Sequence, residues 1–111
     1  MSAFEEKFKL AADECGLKPV SEDPKNKEFA VEYTINKRIA LSVEKIRVEV
    51  KYRATRVTYK IVWINGISQK RKTLNTKSIE YRDDTTLLEL QSLLAKLVTS
   101  GRQLTEVYSH L

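Results

Sequence analysis

Thirteen lysines and arginines fall between residues 36 and 82: Lys37, Arg38, Lys45, Arg47, Lys51, Arg53, Arg56, Lys60, Lys70, Arg71, Lys72, Lys77 and Arg82. Only three carboxylates, Glu44, Glu49 and Glu80, share that segment. The chemistry such a set could do is charge-assisted hydrogen bonding to phosphate or carboxylate oxygens. The flanks carry the opposite sign, with eight acids against five bases in residues 1–35 and four against two in residues 83–111. A cationic middle between acidic ends implies an oriented field, which the net charge of +5 alone would not.

Other chemistries lack their residues. The single histidine, His110, lies one residue from the C-terminus, and Cys15 is the single cysteine. That leaves no zinc set and no Cys/His or Ser/His/Asp site on a rigid element. No Gly-rich phosphate loop occurs among the three glycines. Asp83-Asp84 is explained first as the entry to a helix. We therefore expect no catalytic residues, no metal and no cofactor. Cys15 reads as a small buried hydrophobe.

The cations need elements to hold them. Ser2 with Glu5 matches a capping box, and Phe4, Phe8, Ala11, Ala12 and Cys15 recur at helical spacing, predicting a helix over 3–15 that stops at Gly16. Leu17–Val20 reads as a short extended piece and Ser21–Asn26 as loop. The period then becomes two. Phe29, Val31, Tyr33 and Ile35 predict a strand, Asn36-Lys37-Arg38 a turn, and Ile39, Leu41 and Val43 a continuation. The apolar phase slips by one residue before Ile46, Val48, Val50 and Tyr52, which predicts a bulge near Glu44-Lys45. Ala54-Thr55-Arg56 turns the chain into Val57, Tyr59, Ile61 and Trp63. Asn65-Gly66 is a hairpin signal, followed by a strand over 67–74 and a weaker one over 78–82. Thr86 with Glu89 is a second capping box before a Leu-rich helix, which Gly101 stops or interrupts.

The order is helix, antiparallel meander of four to six strands, helix. This predicts one α+β domain over 1–111, with both helices on one face of the sheet and the other face in water. A two-residue Thr55-Arg56 loop would put Tyr52 opposite Tyr59 and Val48 opposite Trp63. It would send Arg47, Lys51, Arg53 and Lys60 to the water face, with Lys51 directly opposite Lys60. Like charges so opposed destabilise a sheet by a few tenths of a kcal/mol to about 1 kcal/mol, a cost that an anionic partner would offset. At the next hairpin two registers stay open. A three-residue loop turns Lys70 and Lys72 outward, whereas a two-residue loop turns Arg71 outward and Lys70 and Lys72 toward the core side.

The candidate anion-binding residues are thus Arg47, Lys51, Arg53, Lys60, Lys70, Arg71 and Lys72. The expected partner is nucleic acid, held mainly through phosphates. The competing expectation is a small adaptor or inhibitor, viral or plasmid-encoded among the options, that grips an acidic surface of another protein. Leu87, Leu90, Leu94 and Leu97 begin a heptad register that continues through Gly101, Leu104, Tyr108 and Leu111, so they are candidates for a homodimer or partner helix, against simple core packing. Tyr33, Tyr52, Tyr59, Trp63 and Tyr81 read as core or core rim. Were the faces inverted, Tyr59 and Trp63 would form a stacking surface. No stretch approaches the ~18 apolar residues of a membrane span, and Met1–Glu6 carries no signal-peptide core. With one cysteine, an intracellular setting is expected, inside a virus-infected host cell being one case.

Overall fold

The computed structural model describes residues 3–21, 27–36 and 43–110. Helix α1 (Ala3–Glu14) buries Phe4, Phe8, Ala11 and Ala12, the residues its 3.6 period puts on one side. It ends in a Schellman motif. Gly16, at φ +81°, donates to Asp13 O at 3.1 Å, and Leu17 donates to Ala12 O at 2.9 Å while burying its own side chain. The chain then forms β1 (Lys18–Ser21), β2 (Lys27–Thr34), β3 (Glu44–Arg53), β4 (Arg56–Asn65) and β5 (Arg71–Glu80). They lie side by side in that order, every neighbour antiparallel. Helix α2 (Leu87–Ser109) starts at the Thr86/Glu89 capping box, both halves of which form at 3.2 Å. The architecture is α+β, and the apolar residues of β3 and β4 meet both helices on one side of the sheet. No described helix is long and apolar enough to cross a membrane.

Several local expectations are corrected. Strand β3 pairs with β2 and β4 without a register shift, so no bulge occurs at Glu44-Lys45. The apolar phase changes because the chain reverses before β3: Ile35 N already donates to Glu44 O at 3.0 Å. The turn at 36–38, the apolar positions Ile39 and Leu41, the Ser21–Asn26 loop and the Ser2 half of the first cap lie wholly or partly outside the described residues. The β3–β4 turn is Ala54-Thr55, with Ala54 at φ +53° and Arg53 opposite Arg56. Asn65-Gly66 does not make a two-residue turn. Asn65 Oδ1 accepts from the amides of Ile67 and Ser68 at 3.0 and 3.1 Å, and Asn65 N donates to Lys70 O at 3.0 Å, closing a four-residue loop. Gly66 is needed there for space, since a Cβ would lie 2.9 Å from Val43 Cγ1. Strand β5 is one continuous element from Arg71, and Leu74 is its extra residue between Thr73, opposite Val62, and Asn75, opposite Ile61.

Helix α2 runs through Gly101 without interruption. A Cβ there would sit 2.5 Å from Val48 Cγ2 and 3.4 Å from the Tyr33 ring. The glycine lets the helix backbone lie directly on Val48. Leu90, Leu94, Leu97 and Gly101 are buried, the leucines in the core shared by both helices and the sheet, and Leu87, Leu104 and Tyr108 pack half-buried on the same core. Leu90, Leu94 and Leu97 are therefore taken up by the chain's own core, which corrects their candidacy for a partner helix, while Leu87 stays half-buried and Leu111 lies outside the described residues.

Helix α1 is tied to the sheet by one polar cluster. The Lys27 ammonium donates to Glu5, with Lys9 Nζ 3.6 Å from the same carboxylate. That bond, first among the causes, holds the Glu5 carboxyl below its ordinary 4.5. The same bond holds Lys27 above its ordinary range. Burial, then the Glu5 carboxylate, pushes the Tyr52 phenol from 10.0 up to about 12.

Two outcomes follow for stability. Gly101→Ala gains about 1 kcal/mol of helix propensity but forces a methyl into the stiff, fully buried Val48 at a cost of about 1–3 kcal/mol. We expect net destabilisation in urea melts, and a Gly101→Ala/Val48→Ala double variant that loses less than the sum of its singles. Additive losses would show that the helix does not rest on Val48. The pH dependence has two limbs. The Glu5 contribution is complete above pH 4.5 and is lost as pH falls through the depressed folded value, so Glu5→Gln should flatten the acid limb. The Tyr52 contribution is complete below pH 10.0 and is lost as pH rises toward about 12, so Tyr52→Phe should flatten the alkaline limb. An acid limb unchanged in Glu5→Gln would contradict this assignment.

Candidate nucleic-acid interface

Alternation along β3 assigns the faces. Ile46, Val48, Val50 and Tyr52 are buried beneath the helices, so Lys45, Arg47, Glu49, Lys51 and Arg53 project from the other side. Pairing carries this face outward. It adds Glu28, Ala30, Glu32 and Thr34 of β2, and Arg56, Thr58, Lys60, Val62 and Ile64 of β4. It also adds Arg71 and Thr73 of β5 and, beyond the Leu74 bulge, Thr76, Ser78 and Glu80. Of the candidate residues, the fold gathers Arg47, Lys51, Arg53, Lys60 and Arg71 on this surface. Lys70 lies in the β4–β5 loop. Lys72 stands opposite Trp63 on the helix side of the edge strand, as Lys77 stands opposite Tyr59. Inward lysines on an edge strand block pairing with another chain while their heads still reach water.

The register removes the Lys51–Lys60 pair. With Ala54-Thr55 as the turn, Lys51 is opposite Thr58 and Lys60 is opposite Glu49. The shift is by two residues, so faces are kept and partners change. The like-charge pair falls instead at the hairpin mouth, Arg53 opposite Arg56.

The face divides into two halves by charge. Across its upper half runs a continuous set of ion pairs. Glu32 takes Lys45 at 3.3 Å and Arg47 Nη1 at 3.0 Å, Arg47 Nε lies 3.1 Å from Glu49, and Glu49 also receives Arg71. Of these, Arg47, Glu49 and Arg71 surround Val62, which is 2% exposed although it points away from the core. At the hairpin end Glu80 accepts from Arg56 Nε at 3.0 Å and Thr55 Oγ1 at 2.9 Å, and Arg56 first, then Thr55, holds its carboxyl below the ordinary range. Between them lie Lys51, Arg53 and Lys60, all exposed, with no carboxylate in ion-pair range among the described residues. Glu28 is opposite Lys51 but forms no ion pair with it. A concavity of about 290 Å³ opens here, lined by Glu49, Lys51, Tyr52, Arg53, Arg56, Thr58 and Lys60.

Arg56, expected in the turn, is the first residue of β4, in phase with Thr58 and Lys60 on the polar side of Val57, Tyr59 and Ile61. Glu28 and Glu32 belong to the acidic N-terminal third, yet the Phe29–Val31–Tyr33 alternation already turned them to the same side as the cations. Burial, then Glu14, pushes the Cys15 thiol up, opposite to the shift of an activated thiolate. Among the described residues no group of three or more His, Cys, Asp or Glu could hold a metal ion. No family model matches the chain, and no curated protein or solved structure is significantly similar to it.

The division by charge has a measurable counterpart. Glu49, whose side chain is 12% exposed, accepts from Arg71 and lies within ion-pair distance of Arg47, so Glu49→Gln should cost about 1.5–3 kcal/mol in urea denaturation. Lys51→Gln, which breaks no pair, should stay within about 0.5 kcal/mol of the parent. Equal costs would erase the distinction between the two halves of the face.

Proposed function

We propose that the protein is a non-catalytic binding protein whose open sheet face receives an anionic partner, nucleic acid foremost. The observation that carries this reading is the set of three unpaired cations, Lys51, Arg53 and Lys60, held on two neighbouring strands. Every other strand-borne cation described on the three central and edge strands of that face, Lys45, Arg47, Arg56 and Arg71, has a carboxylate. Folding alone gains nothing by leaving three neighbouring cations without an ion pair, with Glu28 and Glu49 opposite two of them but not paired to them, and phosphate oxygens would supply partners. The contacts are to backbone, so selectivity among sequences is weak.

A second reading has one observation in its favour. Glu28, Glu32, Glu49 and Glu80 are interleaved with the cations, and a surface of mixed sign suits an acidic protein surface carrying some bases of its own.

Fluorescence anisotropy with a labelled nucleic acid separates the two. Three phosphate contacts predict a slope of log K against log salt of roughly −2 to −3. Lys51→Gln and Lys60→Gln should each weaken binding and reduce the slope by about 0.7–0.9. Arg47→Gln should leave the slope unchanged, because its charge is already taken. Absence of binding at low salt rejects nucleic acid as the partner. Affinity-capture with Lys51→Glu as the negative control then addresses the protein partner.

A further inference from the structure

We infer that the preferred ligand of this face is a duplex, contacted only along its sugar-phosphate backbone, rather than a single strand. The inference rests on the reading above and concerns the form of the ligand. Its first support is the placement of the aromatic residues. The chain has five Tyr, three Phe and one Trp. All nine lie in the helix-covered core or are packed against it: Phe4, Phe8, Phe29 and Tyr52 inside, and Tyr33, Tyr59, Trp63, Tyr81 and Tyr108 at its margin. Tyr52, the one aromatic that lines the concavity, is 6% exposed and offers no ring face. Proteins that hold single strands do so by stacking unpaired bases on exposed rings. The open face has none to give.

The second support is geometry. Lys51 and Arg53 are successive outward residues of β3, about 6.8 Å apart along the strand, and Lys60 projects from β4 opposite Glu49, which makes it the diagonal neighbour of Lys51 at about 7–8 Å. Hydroxyls line the same area. Thr58 is opposite Lys51 and within 3.2 Å of the Ser78 hydroxyl, and Thr76 is opposite Lys60. Backbone hydrogen bonds fix these spacings, so the array cannot follow a flexible strand as a mobile loop could. A duplex presents phosphates at regular spacing and at the higher charge density, one per roughly 1.7 Å of axis. A fixed array of cations and hydroxyls without rings matches that ligand. Glu28, facing Lys51 from β2 without an ion pair, bounds the site and opposes it.

The test is anisotropy with a fluorescein-labelled 20-base-pair DNA of mixed sequence, the same sequence as RNA duplex, and one strand of each alone, over a salt series. At least one duplex should bind on the order of ten-fold tighter than its strand, with a slope near −2.7 for B-form DNA from three contacts. The two duplexes together tell which helical form is preferred. Glu28→Gln should tighten duplex binding several-fold, a gain that loss of folding cannot mimic. Single strands bound as tightly as both duplexes would overturn the inference while leaving the proposed function standing. No binding by any of the four at the lowest salt would remove both.

Discussion

Strand β3 is the middle of the sheet, and Ile46, Val48, Val50 and Tyr52 along one side of it are each sealed beneath the helices. A pleated strand has only two sides. Burying that row therefore commits Lys45, Arg47, Glu49, Lys51 and Arg53 to the other, whatever charges they carry. The neighbouring strands inherit the choice through antiparallel pairing. The helices are held where they must be to enforce it: Phe8 packs on Phe29 and Tyr52 with ring centroids 5.7 and 4.6 Å away, and Gly101 lets α2 settle onto Val48. The surface chemistry is thus a consequence of core packing on the reverse side.

What the exposed face then does with its charge differs between its ends. Carboxylates from β2 and β3 thread between guanidinium groups at the end near Lys45, and the side chains involved cover an otherwise exposed valine. Arg47 sits between two acids with its Nε withdrawn from solvent. Ion pairs of this kind act as a lid over a small apolar floor as much as a source of Coulomb energy. Nearer the β3–β4 hairpin, acids are fewer and the lysines stand alone. Position on the sheet, rather than residue type, separates the cations that maintain the structure from those left to meet something else.

The borders of the sheet show why other cations are not recruited. Strand β1 is four residues long and its register shifts between Pro19 and Ser21. Strand β5 carries a bulge at Leu74, and Lys72 and Lys77 lie on its core side. Short length, bulges and inward lysines are ways of keeping a free edge from pairing with another chain. Two bases that would otherwise enlarge the cationic surface are used this way.

Much of this was legible in the residues themselves. Periodicity located both helices and the strand order, the Gly16 stop and the Thr86/Glu89 cap marked helix ends, and alternation put Arg47, Lys51, Arg53 and Lys60 on one side, because these are local properties of a helix or a pleat. The sequence could not say who stands opposite whom. Moving the β3–β4 turn by one residue changes every cross-strand partner by two, which turns Lys60 from a neighbour of Lys51 into a neighbour of Glu49 and leaves all faces intact. Nor could it show that Glu32 would reach across to Arg47, or that the leucine seam of α2 would be taken into the shared core while Gly101 meets Val48. Those depend on contacts between segments remote in the chain, where energy is set by three-dimensional packing and not by the spacing of residue types along it.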